Sequence, residues 1–235
     1  MRQTRNANEL RPTQITPILD HPAAGACLIQ MGNTHVQCTA SWIEGVPHFL
    51  KHQNQGWLTA EYSMLPSATH TRHDRDIKRG HLNGRTSEIQ RLIGRSLRQA
   101  IDLKKIGSNT IIIDCDVLRA DGGTRTASIT GGCVALVLAL QKLQYQKILR
   151  NDPFNQWITA VSVGICSNQP LLDLDYTEDQ SATTDMNLVL NEHNHWIEIQ
   201  GTGEKSPFSS SDLNQLLELG LSGANKLRET QTSVA

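Results

Sequence analysis

The stretch that most constrains this chain is Asp121-Gly122-Gly123-Thr124-Arg125-Thr126-Ala127-Ser128-Ile129-Thr130-Gly131-Gly132, because of what flanks it. Before it, Thr110 to Val117 is rich in Ile and short enough for a strand. After it, Ala127 to Leu143 is apolar over more length than one strand needs, which reads as a buried helix. The glycines therefore fall at a strand-to-helix junction. Glycine lets backbone approach a ligand closely. A helix start offers free N–H groups and a partial positive charge, and Arg125 adds a full one. The glycines alone fit a plain turn before a core helix equally well. Thr124 and Arg125 shift the reading toward an anion site, with phosphate as the anion. No Gly-Lys-Ser/Thr follows, so this is not a P-loop.

A chain of 235 residues can bury a sizeable core, and nothing in it reads as a linker, so one domain over 1–235 is expected. Aromatic residues make up only 4%, which leaves an aliphatic core. The net charge of −1 announces no nucleic-acid partner, but the charge is uneven. Arg72 to Arg98 carries seven Arg and one Lys against three acids, whereas Leu171 to Gln200 carries seven acids and no Lys or Arg. Cys27, Cys38, Cys115, Cys133 and Cys166 are odd in number, widely spaced and free of any C-x-x-C. They read as small core residues in a reducing compartment. The N-terminus has no apolar core of a signal peptide, and no run approaches the ~20 apolar residues of a membrane span. The expectation is a cytoplasmic protein with no membrane partner.

Along the chain, Arg2 to Pro12 is polar and reads as a frayed terminus. Cys27 to Met31 and Thr34 to Ala40 flank Gly32-Asn33, a hairpin signal. Ser41 to Pro66, broken by glycine and proline, suggests irregular structure with short strands. Leu65 to Asp76 is a long polar loop holding Arg72 and Arg75; such loops are solvated surface or functional. Arg85 to Ile101 is the clearest helix, with Ile89, Leu92, Ile93, Leu97, Ala100 and Ile101 on one stripe. Arg91, Arg95 and Arg98 fall opposite, as a solvated face. Arg85 differs, because it stands at the helix start beside the positive end of the dipole, where an Arg is a candidate anion ligand. Asp114 and Asp116 lie on the strand face opposite Ile111, Ile113 and Cys115 and are candidates for pairing with Arg.

Strands are further expected over Trp157 to Ile165, Pro170 to Leu174, Met186 to Leu190 and Trp196 to Gln200. A last amphipathic helix is expected over Asp212 to Arg228. Between these strands, Asp173, Asp175, Glu178, Asp179 and Asp185 place five carboxylates within thirteen residues. That density suits Mg²⁺, which takes a few carboxylates and keeps waters. It fits a surface acidic loop as well. His193 and His195 read as exposed.

Four stretches resemble the ribonuclease PH family: Gln55 to Tyr62, Gly84 to Arg98, Asp121 to Thr130 and Leu171 to Asn187. The opening Arg2 to Arg11 and the Leu65 to Arg75 loop look alike too, so the resemblance runs from about Arg2 to Arg228. It implies an α/β (α+β) fold of the ribosomal protein S5 domain 2-like class. It also implies a 3′-to-5′ exoribonuclease that uses inorganic phosphate to trim the 3′ ends of tRNA precursors, releasing nucleoside diphosphates. A homohexamer, as a trimer of dimers, follows from the same resemblance. Phosphate would be held by Arg85, Gly123, Thr124 and Arg125. The acidic pair would be Asp179 and Asp185, as Mg²⁺ ligands or with one as general acid, and the sequence leaves that choice open. Arg72 and Arg75 would contact RNA. Arg119, Ser67 and His81 depart from the family's usual Gln, Arg and Lys, which touches only the finer RNA contacts. Relatives of this fold also serve as non-catalytic RNA-binding ring subunits in exosome-like assemblies, marked by loss of the anion ligands or the acidic pair. A general phosphate- or nucleotide-binding protein is a third reading, and it leaves the Arg-rich loop unexplained.

Overall fold

The computed structural model of the protein describes residues 2, 5–75, 78, 80 and 83–235. The expected hairpin at Gly32-Asn33 joins β2 (Gly25–Met31) to β3 (Thr34–Glu44), with Met31 opposite Thr34. With β1 (Thr13–Pro17), β4 (Trp57–Met64) and β5 (Asn109–Arg119) they form a five-stranded sheet in the order β1-β2-β3-β5-β4. β3 does not become irregular at Ser41 as expected. It pairs with β5 out to Glu44 opposite Asn109, and that ladder holds the chain extended. β4 and β5 run parallel. Parallel neighbours need a crossover, and α1 (Gly84–Leu97) supplies it, tightening into one 3₁₀ turn to Ala100.

From the end of β5 the chain enters α2 (Thr124–Tyr145), which is apolar and buried all round except in its last turns, where Gln141, Lys142 and Tyr145 are exposed. It packs on β2, β3 and β5 on one side and reaches the second sheet on the other. At 22 residues and a mean hydropathy of 1.4 it does have the length and composition of a membrane span, contrary to expectation. Here 83% of that apolar window is buried inside the fold. Its polar side chains are satisfied locally: Ser128 Oγ donates to Thr124 O at 2.8 Å, and Thr130 Oγ1 to Ala160 O at 3.1 Å.

The second sheet is antiparallel, β7-β6-β8-β9, built from β6 (Ile158–Cys166), β7 (Gln169–Leu172), β8 (Thr184–Asn191) and β9 (Trp196–Gly203). The acidic stretch between β7 and β8 folds into the short helix α3 (Tyr176–Ser181). A reciprocal cap opens it: Asp175 accepts from Glu178 N, and Glu178 accepts from Asp175 N. The last helix, α4 (Ser210–Thr232), lies on β6 and β7. The aliphatic core runs without a break from Ile29 and Ile113 through Ile129 and Leu136 to Val161, Leu188 and Leu216. All five cysteines are free, and four are buried.

Three surface expectations change. The N-terminal segment is docked rather than frayed, with Arg2, Arg5 and Arg11 paired to Asp173 and Glu178. Of Arg91, Arg95 and Arg98 only Arg91 is exposed; Arg95 pairs with Glu198 of β9, and Arg98 lies 4.6 Å over the Trp57 ring while donating to Leu58 O. Asp114 and Asp116 sit on the open face of the first sheet, and among the described residues no Arg pairs with either. Burial pushes both carboxyls above their usual range, with Glu61 adding to the effect on Asp114. His193 and His195 are exposed, as expected.

Candidate active site

The β5–α2 junction, the first turn of α1, α3 and the start of β8 converge on one cleft of about 320 Å³. It is lined by Arg85, Gly122, Gly123, Thr124, Arg125, Asp179 and Asp185, among others. A second, more polar lobe of about 400 Å³ shares the two arginines and both aspartates and extends to Gln200, Glu204 and Lys205.

Glycine is required at the junction. Gly122 and Gly123 have φ of +76° and +68°, the left-handed region. A Cβ at Gly122 would stand 2.6 Å from Leu174 O, so the backbone of the acidic segment lies directly against it. Gly123 begins α2 with no side chain capping the helix among the described residues, which leaves first-turn N–H groups for a ligand. Thr124 Oγ1 is 2.9 Å from the Tyr62 hydroxyl, both buried. Burial holds the Tyr62 phenol above its ordinary pKa, so it remains a neutral hydrogen-bonding group.

Arg125 is aimed by two neighbours. Its Nη1 donates to Gln200 Oε1 at 2.9 Å and lies 3.5 Å from Glu88 Oε2, while Gln200 Nε2 donates to Glu88 Oε1 at 3.0 Å. Arg85 follows Asn83, whose side chain accepts from Thr86 N at 2.7 Å and so fixes the helix start. Two guanidinium groups thus face the same cleft as the first turn of α2.

Across from them stand the carboxylates. Burial raises the pKa of Asp179 above its usual range, opposed by Arg85 and Arg125. Asp185 is pushed up to about 6, by burial and by Asp179 beside it, against the pull of Arg125 and Arg85. Among the described residues no cluster of three or more His, Cys, Asp or Glu could hold a metal. The pair Asp179–Asp185, with Asn187 alongside, fits Mg²⁺ all the same: that ion takes one or two carboxylates and completes its shell with water and phosphate oxygens.

Six expected residues, Arg85, Gly123, Thr124, Arg125, Asp179 and Asp185, are brought together here. Arg72 and Arg75 are not. Both are exposed, Arg72 lies 3.3 Å from Asp74, and among the described residues of their loop only Thr69 reaches the cleft. Asp76, at the loop's end, and His81 lie outside the described residues. Arg119 ends β5 and is exposed. Sequence reasoning missed Tyr62, Glu88, Gln200 and Lys205. Gln200 in particular comes from a strand a hundred residues from α1, with no local signal.

A cleft in which a glycine-opened helix and two arginines meet two carboxylates can take an anion such as phosphate beside a pair of proton- or cation-binding groups. The family described as 3′ exoribonuclease family, domain 1, matches residues 9–140, and domain 2 of the same family matches residues 157–223. The chain belongs to this ribonuclease PH-type 3′ exoribonuclease family. Among solved structures it is similar to rice (Oryza sativa) Rrp46, at 19% identity and a TM-score of 0.78, covering 98% of this chain and 97% of that one. The Archaeoglobus fulgidus exosome with RNA bound to the active site gives 21% and 0.80, over 96% and 90%. An archaeal exosome core gives 21% and 0.75, over 97% and 89%. At these identities the likeness carries the fold, which is mixed α/β of the ribosomal protein S5 domain 2-like class, as expected.

Proposed function

We propose that this chain is a phosphate-dependent 3′-to-5′ exoribonuclease acting as a subunit of a ring. The observation that carries the reading is the convergence of Arg85, Arg125 and the uncapped start of α2 on a cleft whose far wall is Asp179 and Asp185. An oxygen of inorganic phosphate attacks the last phosphodiester, the bond to the 3′ oxygen breaks, that oxygen takes a proton, and a nucleoside diphosphate leaves. Both reactants are anions. Two unit charges 4 Å apart repel by about 4 kcal/mol at an effective dielectric near 20. The two arginines and the helix start offset this and hold the nucleophile in line. Phosphate is ionised at neutral pH, so no strong base is needed. Asp185, with its pKa near 6, is the group suited to hand the proton to the 3′ oxygen. Should Asp179 and Asp185 instead hold Mg²⁺, both would be ionised, and the ion's charge rather than a carboxyl proton would stabilise that oxygen.

The similar structures named above are exosome proteins, which favours a subunit of an exosome-like ring over a dedicated tRNA-trimming enzyme. That supports the second reading, a non-catalytic RNA-binding ring subunit. Against it, no expected anion ligand or carboxylate is lost from this cleft. A homohexamer and tRNA precursors are the assembly and substrate we take from the family resemblance. The test is incubation of the chain with a 3′-extended tRNA and with an unstructured RNA, with and without inorganic phosphate. Phosphate-dependent release of nucleoside diphosphate is expected. Tight RNA binding with no product in either buffer would select the scaffold reading, and monophosphate released without phosphate would exclude phosphorolysis.

A further inference from the structure

Three arginines of the N-terminal segment meet two carboxylates of the acidic segment underneath the cleft, without lining it. Arg11 and Asp173 are almost sealed from solvent, 6% and 0% exposed. Arg11 Nε and Nη2 donate to the two Asp173 oxygens at 3.0 and 2.7 Å, and the Arg11 backbone N–H donates to Oδ2 at 2.8 Å. The rest of the guanidinium goes to the glycine junction: Nη1 to Asp121 O, and Nη2 to Gly122 O at 3.3 Å. Thr34 Oγ1 completes this support, donating to Gly122 O at 2.7 Å and accepting from Asp121 N at 2.9 Å. In a trans peptide unit the carbonyl and the following N–H point opposite ways. With Asp121 O and Gly122 O drawn to Arg11, the N–H groups of Gly122 and Gly123 are turned away from it, and both glycines line the cleft.

The other two arginines hold α3. Arg2 donates from Nε and Nη2 to the two Glu178 oxygens at 2.6 and 2.8 Å, and from Nη2 to Leu172 O at 2.8 Å. Arg5 Nη2 donates to Asp173 O at 2.6 Å and to Glu178 Oε2 at 3.0 Å. Glu178 is the third residue of α3 and the partner of Asp175 in its cap, and the next residue is Asp179. Asp173 itself sits at φ +54°, a conformation non-glycine residues seldom adopt and one its surroundings must enforce.

We propose that Arg2, Arg5 and Arg11 are positioning residues. They form an N-terminal clamp that sets the glycine junction, through Arg11 and Asp173, and Asp179, through Arg2, Arg5 and Glu178, at their working separation. The inference rests on the phosphorolytic reading above. None of the three lines the cleft. The two arms act on different halves of the chemistry; Arg5 touches both, its Nη1 lying 3.4 Å from Asp173 Oδ2, so Arg2, which bonds the Glu178 carboxylate and not that of Asp173, is the residue that separates them. Loosening the Arg11 arm disturbs the phosphate cradle, and loosening the Arg2/Arg5 arm disturbs the carboxylate side.

The experiment uses the full chain. Arg11→Ala would strand Asp173 and endanger folding, so the variant is Arg11→Lys, which keeps the charge but cannot reach Asp173 and two carbonyls at once. It is expected to raise the KM for inorganic phosphate on the order of tenfold or more with a smaller change in kcat. The Tm rise that inorganic phosphate induces should shrink with it. Arg2→Gln is expected to lower kcat by a similar factor at nearly unchanged phosphate KM, and Arg2→Lys to recover part of it. Unchanged kcat and KM per folded molecule in every variant overturns the clamp while leaving the phosphorolytic reading standing, provided Arg85→Ala is inactive. If the wild-type chain shows no phosphorolysis, that reading falls, and the phosphate-induced Tm shift alone decides the clamp, an equal shift in Arg11→Lys and wild type overturning it. No phosphate response of either kind in the wild type overturns both.

Discussion

The Tyr62 hydroxyl lies 2.9 Å from Thr124 Oγ1, joining the C-terminal part of strand β4 to the first residue of α2. The threonine hydroxyl rotates freely until a partner fixes it. Tyr62 therefore decides which way Thr124 presents its proton and lone pairs to an anion. Tyr62→Phe removes only that oxygen. The expected result is a several-fold higher phosphate KM and a stability loss of about 1 kcal/mol, the usual net worth of one such bond. Denaturant unfolding and steady-state kinetics measure the two. An unchanged KM would mean that Thr124 is oriented by something else.

Arg85 and Arg125 reach the cleft from different helices and should contribute separately to anion binding. Arg85→Ala and Arg125→Ala are each expected to lower phosphorolysis by about 10²–10³, the cost of one preorganised charged donor. Their effects on folding should differ. Arg85 is exposed, so Tm should scarcely move. Arg125 is half-buried against Glu88 and Gln200, and its loss leaves that carboxylate without its cation, so a modest drop in Tm is expected. Near-normal rates in both variants would return the glycine junction to a plain turn.

Asp185 links activity to stability through its proton. Its pKa of about 6 lies above the ordinary 3.8, so the folded chain holds the proton more tightly than the unfolded chain does. Stability contributed by the protonated form is present below the ordinary value and is lost as pH rises through about 6. Asp185→Asn, uncharged at every pH, should therefore lose activity yet melt higher than wild type at pH 7.5, with the gain vanishing near pH 4. About two pH units correspond to at most roughly 3 kcal/mol. Carboxyl NMR titration in the presence of a chelator checks the causes. Asp179→Asn removes a raising neighbour and should bring the Asp185 pKa below 6, and Arg125→Ala removes a lowering one and should take it higher. Shifts in the opposite directions would refute this electrostatic account.

What was legible in the sequence were features whose signal is local. Gly32-Asn33 marked the β2–β3 hairpin, the stripe from Ile89 to Ile101 marked α1, and the Ile strand before the glycines placed the β5–α2 junction. Those features also delivered Arg85, Gly123, Thr124 and Arg125 to one cleft. What failed depended on partners far away in sequence. Arg2 and Glu178 are 176 residues apart, and no local pattern distinguishes a docked arginine from a frayed one. β3 reached Glu44 because β5 was there to pair with it, which no property of Ser41 to Glu44 announces. The acidic stretch was a mixed case. Asp173 and Glu178 turned out to be structural anions for arginine, leaving Asp179 and Asp185 facing the cleft. One local signal there was overlooked: Asp175 and Glu178, three residues apart, are the sequence mark of the cap that opens α3.

Arg72 and Arg75 belong to the same loop as Thr69, yet only Thr69 lines the cleft. The loop thus leads from the site outward, and its arginines are exposed and outside the cleft lining. Among the described residues Arg72 is paired with Asp74 alone, an exposed pair worth little in water and easily exchanged for a phosphate. With a net charge of −1 over the whole chain, RNA must be held by local basic patches such as this one. Each arginine–phosphate contact adds to the salt dependence of binding. Arg72→Ala with Arg75→Ala is therefore expected to weaken binding of a 3′-extended RNA and to flatten the plot of log affinity against log salt by ~1–2 units. Phosphorolysis of an oligonucleotide too short to leave the cleft should keep its rate. Affinity across a salt series, set beside the short-substrate rate, distinguishes the outcomes. An unaltered slope would make the loop ordinary solvated surface, and a slowed short substrate would mean that these arginines act inside the cleft after all.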